Sequence, residues 1–191
     1  MMDLEALVLH NRSYRSFDET HPVSGDILKK LVDLARRCPS GMNKQPLCYK
    51  LLTDGADIAK MLANCRFASS LGIALPPEGH KPTAFILIFA DAEAGSPTSL
   101  MLKDVGIAAQ TILLGAAELG LGGCMLGSFD PARLNADFAV SARYQPQLAI
   151  ALGKPAEEVE LTAPRADGSL TYYRENGTHY VPKRCLEDIL L

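Results

Sequence analysis

Apolar residues recur at helical spacing in several stretches of the chain. In Asp26–Cys38, Ser24 supplies a candidate N-cap, and Pro39 ends the helix because the residue before proline is pushed out of the α region. The longest stretch, Ser99–Leu119, is apolar on nearly all sides, so we expect it to be buried in the core or against a second subunit. Shorter helices are predicted at Met2–Leu9, at Asp57–Cys65 and from Asp130-Pro131 onward.

Short continuous apolar runs predict strands. Thr83–Ala90 and Pro146–Leu152 are rich in strand formers and are typical of strands buried on both faces. Leu47–Thr53 reads as a third strand and is followed by an Asp-Gly turn. Strands mixed with helices, with few crossover units, favour an α+β fold over a doubly wound α/β fold.

Length and composition indicate one domain. The 191 residues are 48% hydrophobic and 21% charged, which suffices for a single core spanning residues 1–191. Two proline-bounded segments, Pro39–Pro46 and Arg66–Pro82, predict loops, and we expect the second to be an exposed flap near a site. A C-terminal tail from about residue 165 to 191 carries a hairpin signal, Asn176-Gly177 between Leu170–Glu175 and Thr178–Val181.

Charge and cysteine usage exclude several classes of protein. The net charge of −3 and the pI of about 5.8 argue against a general nucleic-acid binder. The five cysteines form no C-x-x-C and the four histidines lack metal-ligand spacing, so we expect reduced thiols, surface histidines and no metal site. Asp3 and Glu5 argue against a signal peptide, and charges interrupt the apolar zone 100–121, so we expect a cytoplasmic protein without a membrane span.

The stretch His10–Phe17 holds the first candidate chemistry. Arg12, Ser13 and Arg15 place two guanidiniums and a hydroxyl close together, which could grip an anion because arginine forks match phosphate oxygens. A solvated basic turn explains the same residues. Lys183 and Arg184 form a second cationic pair near the C-terminus, where a solvated basic end is the alternative.

Two loops carry further candidates. Asn43 and Gln45 have donors and acceptors suited to the edge of a heterocycle, although loop solubility explains them as well. Leu121–Ser128 is rich in glycine, which permits close approach to a ligand, but it follows a helix and lacks the G-x-G-x-x-G fingerprint. We interpret Glu157–Glu160 as a solvated face and Cys124 as a small buried apolar residue.

The order and spacing of these segments resemble the nitroreductase family of FMN-dependent flavoproteins. The segments are Asn-Arg-Ser-Tyr-Arg-Ser-Phe at 11–17, Pro-Ser-Gly-Met-Asn-Lys-Gln-Pro at 39–46, Gly-Leu-Gly-Gly at 120–123, Ala-Leu-Gly-Lys-Pro at 151–155 and the late Lys-Arg. The resemblance covers almost the whole chain. It implies an α+β fold, with a mainly antiparallel central sheet flanked by helices, in an intertwined homodimer that binds FMN at the subunit interface.

The resemblance also implies roles for individual residues. Positions matching contacts to the FMN phosphate and the pyrimidine edge of the flavin are Arg12, Ser13 and Arg15, with Lys183 and Arg184 closing on the phosphate. Positions matching the loop from the other subunit are Ser40, Met42, Asn43 and Gln45. Positions matching the backbone segment beside flavin N5 are Met125, Leu126, Gly127 and Ser128.

The implied function is transfer of a hydride from NADH or NADPH through flavin N5 to a small acceptor, such as a nitroaromatic, a quinone or a flavin, by a ping-pong mechanism. No catalytic side chain is implied, and Arg15 would stabilise negative charge at flavin N1. Asn11 stands where the family pattern has an arginine, so the grip on the phosphate would rest more on Arg12 and the C-terminal tail. Leu47 and Met125 stand where the pattern has aromatic residues, so the resemblance does not define the stacking surface of the acceptor pocket. An FMN-binding protein without turnover (a carrier, sensor or flavin-handling partner) and a cofactor-free dimeric interaction module remain alternatives.

Overall fold

A computed structural model describes residues 3–68, 71–94 and 98–191. The α-helices among these residues are α1 Leu4–His10, α2 Gly25–Ala35, α3 Gly55–Asn64, α4 Ser99–Glu118 and α5 Pro131–Asp137. The strands are β1 Phe17–Asp18, β2 Leu47–Leu52, β3 Ala84–Asp91, β4 Gly122–Leu126, β5 Tyr144–Pro155, β6 Glu158–Thr162, β7 Tyr173–Glu175 and β8 Thr178–Pro182.

The strands form two sheets, which confirms the α+β class. The larger sheet has the order β1-β5-β3-β2, with β4 also paired to β5, and every pairing in it is antiparallel. The smaller sheet has the order β6-β8-β7, in which β8 is parallel to β6 and antiparallel to β7. Strand β5 is therefore the centre of the fold, because it pairs with β1, β3 and β4.

Strand β3 divides the hydrophobic core into two halves. Phe85, Leu87 and Phe89 pack in a cluster with residues of α3 and α5, whereas Ile86 and Ile88 pack with residues of α2 and α4. Successive side chains of a strand point to opposite faces, so both faces of the sheet are covered by helices. The predicted apolar run is thus a strand buried on both sides.

Helix α4 is the long buried helix that the sequence predicts. It begins after Thr98, whose side chain accepts a hydrogen bond from the Met101 amide. It is the one helix among the described residues that is long and apolar enough to cross a membrane, but 56% of its apolar window is buried inside the protein. It therefore has the burial of a core helix.

Helix α5 begins at Pro131 with Asp130 as its N-cap, as predicted, whereas the three shorter helices before α4 are displaced by one to three residues from their predicted bounds. Helix α2 ends at Ala35, before Cys38, while α3 starts at Gly55 because the Asp54 carboxylate accepts from the Ala56 and Asp57 amides. Helix α1 runs from Leu4 to His10, and Met2, in the predicted helix, lies outside the described residues.

The predicted C-terminal hairpin is confirmed. Strands β7 and β8 pair antiparallel, and Asn176 and Gly177 both have positive φ, 50° and 85°, as a tight hairpin turn requires. The first strand is shorter than predicted, since it begins at Tyr173. The hairpin does not stand alone, because β6 adds to it as a parallel third strand.

Two segments differ from expectation. The glycine-rich segment contains strand β4, which the sequence did not predict because glycine is depleted in strands. In the acidic run at 157–160, Glu158 and Glu160 are exposed as predicted, but the Glu157 side chain is only 4% exposed. Both differences arise from contacts with residues distant in sequence.

Gly123→Ala should destabilise the protein by about 1–3 kcal/mol, because an added Cβ would lie 2.5 Å from the Ala151 carbonyl oxygen and 2.7 Å from Leu113 Cδ2. Gly25→Ala is the matched control, since nothing lies within 4 Å of its Cβ position. Urea unfolding of both variants checks the prediction. Equal free energies of unfolding would contradict the close packing of β4.

Candidate functional site

The N-terminal segment is fixed along the edge of β4. Ser13 forms a parallel bridge to Gly123, and the Tyr14 amide donates to the Gly123 carbonyl at 3.0 Å. A Cβ on Gly122 would collide with the Tyr14 ring at 2.3 Å, so the close approach requires glycine there. This bridge places Arg12, Ser13 and Arg15 beside the central sheet.

A cavity of about 410 Å³ lies between this segment, α4, β4 and the small sheet. Its volume is within the usual range for small-molecule sites. Its lining residues are Asn11, Arg12, Ser13, Arg15, Gln110, Leu113, Met125, Tyr172, His179, Val181 and Lys183. The cavity therefore joins cations from both ends of the chain.

Arg15 is buried, with 9% of its surface exposed. Its Nη1 donates to the Ser13 carbonyl at 3.1 Å and lies 3.0 Å from His179 Nε2, and its Cζ lies 5.1 Å from the centre of the Tyr172 ring. All three partners are neutral groups. Within the described ranges, no carboxylate is within ion-pair distance of the guanidinium, so its positive charge is not neutralised.

Glu157 fixes the backbone around Arg15. Its Oε1 accepts hydrogen bonds from the amides of Arg15 and Ser16, the second at 3.0 Å. Its Oε2 accepts from Arg174 of β7, which forms the ion pair that balances its charge. A single buried carboxylate thus ties the N-terminal segment to the small sheet.

His179 is 1% exposed, which corrects its interpretation as a surface histidine. Burial, followed by the charges of Arg15 and Arg174, lowers the pKa of His179 to about 4, so the ring is neutral near pH 7. Because a guanidinium only donates, Nε2 must accept from Arg15 and the ring proton is assigned to Nδ1. That Nδ1 is buried without a partner.

The cavity has an excess of hydrogen-bond donors. In the part of the chain that the structure describes, Arg12 Nε, Arg15 Nε and His179 Nδ1 are buried and have no hydrogen-bond partner. Burial lowers the pKa of Arg12, whose Nη2 donates to the Val8 carbonyl, while Lys183 lies exposed at the rim. Unpaired buried donors are costly, so this arrangement suits an acceptor-rich anionic ligand.

The loop at residues 40–45 does not line this cavity. It packs against α4, where the Asp104 carboxylate accepts from Ser40 Oγ at 2.8 Å. Met42, Asn43 and Gln45 all have positive φ, and Met42 is 82% exposed. These residues face away from the core of their own chain and are accessible to another molecule.

Other predicted positions are divided between the cavity and its surroundings. Met125 lines the cavity, whereas Leu126 is 4% exposed and points into the core. Gly127 and Ser128 follow β4 and are exposed outside the cavity lining. Arg184 is also outside the lining, and its Nη2 donates to the Asp188 carbonyl.

Tyr172, His179 and Gln110 line the cavity but were not predicted. Helical periodicity could have found Gln110, because it is a polar residue in an otherwise apolar helix. No local signal identifies the other two, because their burial depends on the N-terminal segment more than 150 residues away. Cys124 is buried as predicted, and burial raises the pKa of its thiol to about 11.

Comparison with known proteins relates this arrangement to one family. A sequence profile described as "Nitroreductase family" matches residues 8–70 and 73–154. The oxygen-insensitive NADPH nitroreductase of Helicobacter pylori is 27% identical over 185 aligned positions, covering 80% of this chain and 87% of that protein. The profile match ends before the small sheet, so Tyr172, His179 and Lys183 lie beyond it.

Solved structures share the fold over still more of the chain. A crystal structure from Desulfovibrio desulfuricans, described as a nitroreductase in complex with FMN, is 25% identical with a TM-score of 0.73 and covers 100% of this chain and 96% of that one. A nitroreductase family protein of Clostridium novyi NT is 23% identical with a TM-score of 0.67, covering 81% and 87%. The small sheet therefore lies within a region shared with the first of these structures.

The neutral state of His179 predicts a pH dependence of stability. A histidine whose pKa is lower in the folded protein binds more protons when unfolded, so stability is full above about pH 6.5 and falls as pH drops towards 4. His179→Gln should reduce this slope, while the exposed His21→Gln should leave it unchanged. Urea midpoints at several pH values measure it; identical slopes in wild type and His179→Gln would contradict the assignment.

Proposed function

Because this chain belongs to the nitroreductase family, we propose that it is an FMN-dependent oxidoreductase that uses NADH or NADPH to reduce a small acceptor. The observation that carries the proposal is a cavity of about 410 Å³ lined by Arg12, Arg15 and Lys183, in which the Arg12 and Arg15 Nε atoms have no hydrogen-bond partner among the described residues. The H. pylori relative is named as an NADPH nitroreductase, and the D. desulfuricans structure contains FMN.

The residues present fit FMN. Its phosphate is an anion rich in acceptors, and Arg12 with Lys183 would hold it from the two ends of the chain. Ser13 lines the same wall and offers a further hydroxyl. Arg184 lies next to Lys183 in sequence and would join the phosphate site if its contact with the Asp188 carbonyl were released.

When bound, FMN would take a hydride at N5 from the nicotinamide and deliver the electrons to the acceptor. Arg15 would lie near the pyrimidine edge of the flavin and stabilise negative charge there. Its guanidinium is held in place by neutral groups, so its charge is available to the ligand, and its burial strengthens the interaction. His179 fixes its orientation without competing for its charge.

The site is completed by a second copy of the chain in this proposal. Ser40, Met42, Asn43 and Gln45 form an exposed loop that does not line the cavity of their own chain. Helix α4 exposes Leu102 by 58% and Ile107 by 40%, which provides apolar surface for a subunit contact. An intertwined homodimer would bring the loop of one subunit to the cavity of the other.

The acceptor site would be the open side of the same cavity. Met125 is 37% exposed there and replaces the flat surface of an aromatic ring with a flexible side chain. A nitroaromatic, a quinone or a flavin could stack in such a space. If nicotinamide and acceptor use one space in turn, the kinetics are ping-pong. Gly127 and Ser128, which follow Met125 in the chain, would lie beside the flavin. We also propose that the enzyme is cytoplasmic.

Purified protein should be yellow, or become yellow with FMN, at one FMN per chain. Anaerobic titration with NADH and with NADPH should bleach the flavin absorbance near 450 nm, and an acceptor panel should restore it. Protein that remains colourless with added FMN would contradict the proposal. Yellow protein that neither nicotinamide bleaches would favour an FMN-binding protein without turnover.

Arg15→Ala should weaken FMN binding by about tenfold or more, or lower the reduction potential of bound FMN, because a charged hydrogen-bond donor is lost. Glu157 accepts from the backbone amide of Arg15, which alanine keeps, so this anchor of the segment is retained in the variant. The surface variant Arg37→Ala, which loses only a contact to Asp33, is the matched control. Unchanged FMN affinity and potential in Arg15→Ala would contradict the role assigned to Arg15.

A further inference from the structure

Asp104 is a buried carboxylate without a cation. It lies on α4 with 6% of its surface exposed, and among residues 3–68, 71–94 and 98–191 no Lys, Arg or His side chain is within ion-pair distance. A buried charge is costly unless hydrogen bonds stabilise it. Its donors are the Ser40 hydroxyl at 2.8 Å and the Gly41 amide, at 3.0 Å from Oδ1 and 3.2 Å from Oδ2.

Ser40 extends this contact across the loop. While its hydroxyl donates to Asp104, the same oxygen accepts a hydrogen bond from the Gln45 amide at 3.0 Å. The Asn43 amide donates to the Ser40 carbonyl at 2.8 Å, which closes the turn. Residues 40–45 are therefore held at both ends by one carboxylate and one hydroxyl.

The loop needs such an anchor because its backbone is strained. The backbone φ angles of Met42, Asn43 and Gln45 are 54°, 53° and 47°. This is the left-handed region, which residues other than glycine rarely adopt. Gly41 is pressed against α4, where an added Cβ would lie 2.4 Å from Leu100 Cγ. Strain of this kind persists only where surrounding contacts fix it, and it is concentrated at ligand sites.

We propose that Asp104 is a positioning residue for the cofactor site: through Ser40 and Gly41 it holds Asn43 and Gln45 in the conformation that meets the flavin of the other subunit. This inference rests on the proposed function. It also revises the role of Ser40, whose hydroxyl both donates and accepts within the loop. In this proposal Ser40 holds the loop in its conformation, and the exposed side chains of Asn43 and Gln45 contact the flavin.

Asp104→Asn tests the proposal, because the amide has nearly the same volume but only one acceptor oxygen. The FMN dissociation constant should rise about tenfold or more, and hydrogen exchange of the Gly41 and Gln45 amides should accelerate while that of β3 is unchanged. Glu118→Gln removes a charge from the exposed end of the same helix and should change neither quantity.

Variants of Ser40 separate positioning from general loss of structure. Ser40→Ala should weaken FMN binding and Ser40→Thr, which keeps the hydroxyl, should largely restore it. The double variant Asp104→Asn/Ser40→Ala should bind little worse than Asp104→Asn alone, because both changes break one network. If the wild type binds FMN and the Asp104→Asn variant has the same FMN affinity and the same amide exchange rates, the role proposed for Asp104 is wrong, while the proposed function stands. A wild type that binds no FMN overturns the proposed function as well.

Discussion

The candidate site depends on the buried carboxylate of Glu157. It accepts from two amides of the N-terminal segment and pairs with Arg174 in the small sheet, so it joins parts of the chain 142 residues apart. Removing one partner of a buried ion pair leaves an uncompensated charge, so this contact between the two parts is costly to disrupt. Together with the bridge from Ser13 to Gly123, this contact places cations of the two ends around one cavity.

This arrangement keeps positive charge available in an acidic protein. The chain has a net charge of −3, yet the Arg15 side chain contacts a carbonyl, a neutral imidazole and an aromatic ring, and forms no ion pair with a carboxylate of the described residues. Glu157 directs its own charge to Arg174 and to backbone amides. Glu157 and Arg15 therefore lie in the same part of the structure without forming an ion pair with each other. The positive charge of Arg15 is left available, which suits a site for an anionic cofactor.

Asp104 of α4 repeats this use of a buried carboxylate at the loop of residues 40–45. It too accepts from a backbone amide, and it holds a loop whose strained residues are accessible from outside. One carboxylate thus fixes the wall of the cavity, and the other fixes the loop proposed to reach a second subunit. Both carboxylates hold the backbone that carries the candidate ligand-binding side chains.

The sequence determined the features that depend on neighbouring residues. The apolar run of β3, the buried helix α4, the N-cap at Ser24 and the Asn176-Gly177 hairpin follow from local spacing and turn chemistry, and all appear in the structure. The spacing of Arg12, Ser13 and Arg15 was compatible with an anion grip or with a solvated basic turn, and the structure shows that all three line one cavity. Such features are local because a few adjacent residues set the backbone conformation.

Only the tertiary structure decided which polar groups are buried. Glu157 and His179 look like surface residues in the sequence, but their partners lie 142 and 164 residues away. The glycines of β4 form a strand because β5 supplies the hydrogen bonds and Tyr14 approaches the backbone closely. Burial of a charge or of a glycine-rich strand depends on what packs against it, and local sequence does not contain that information.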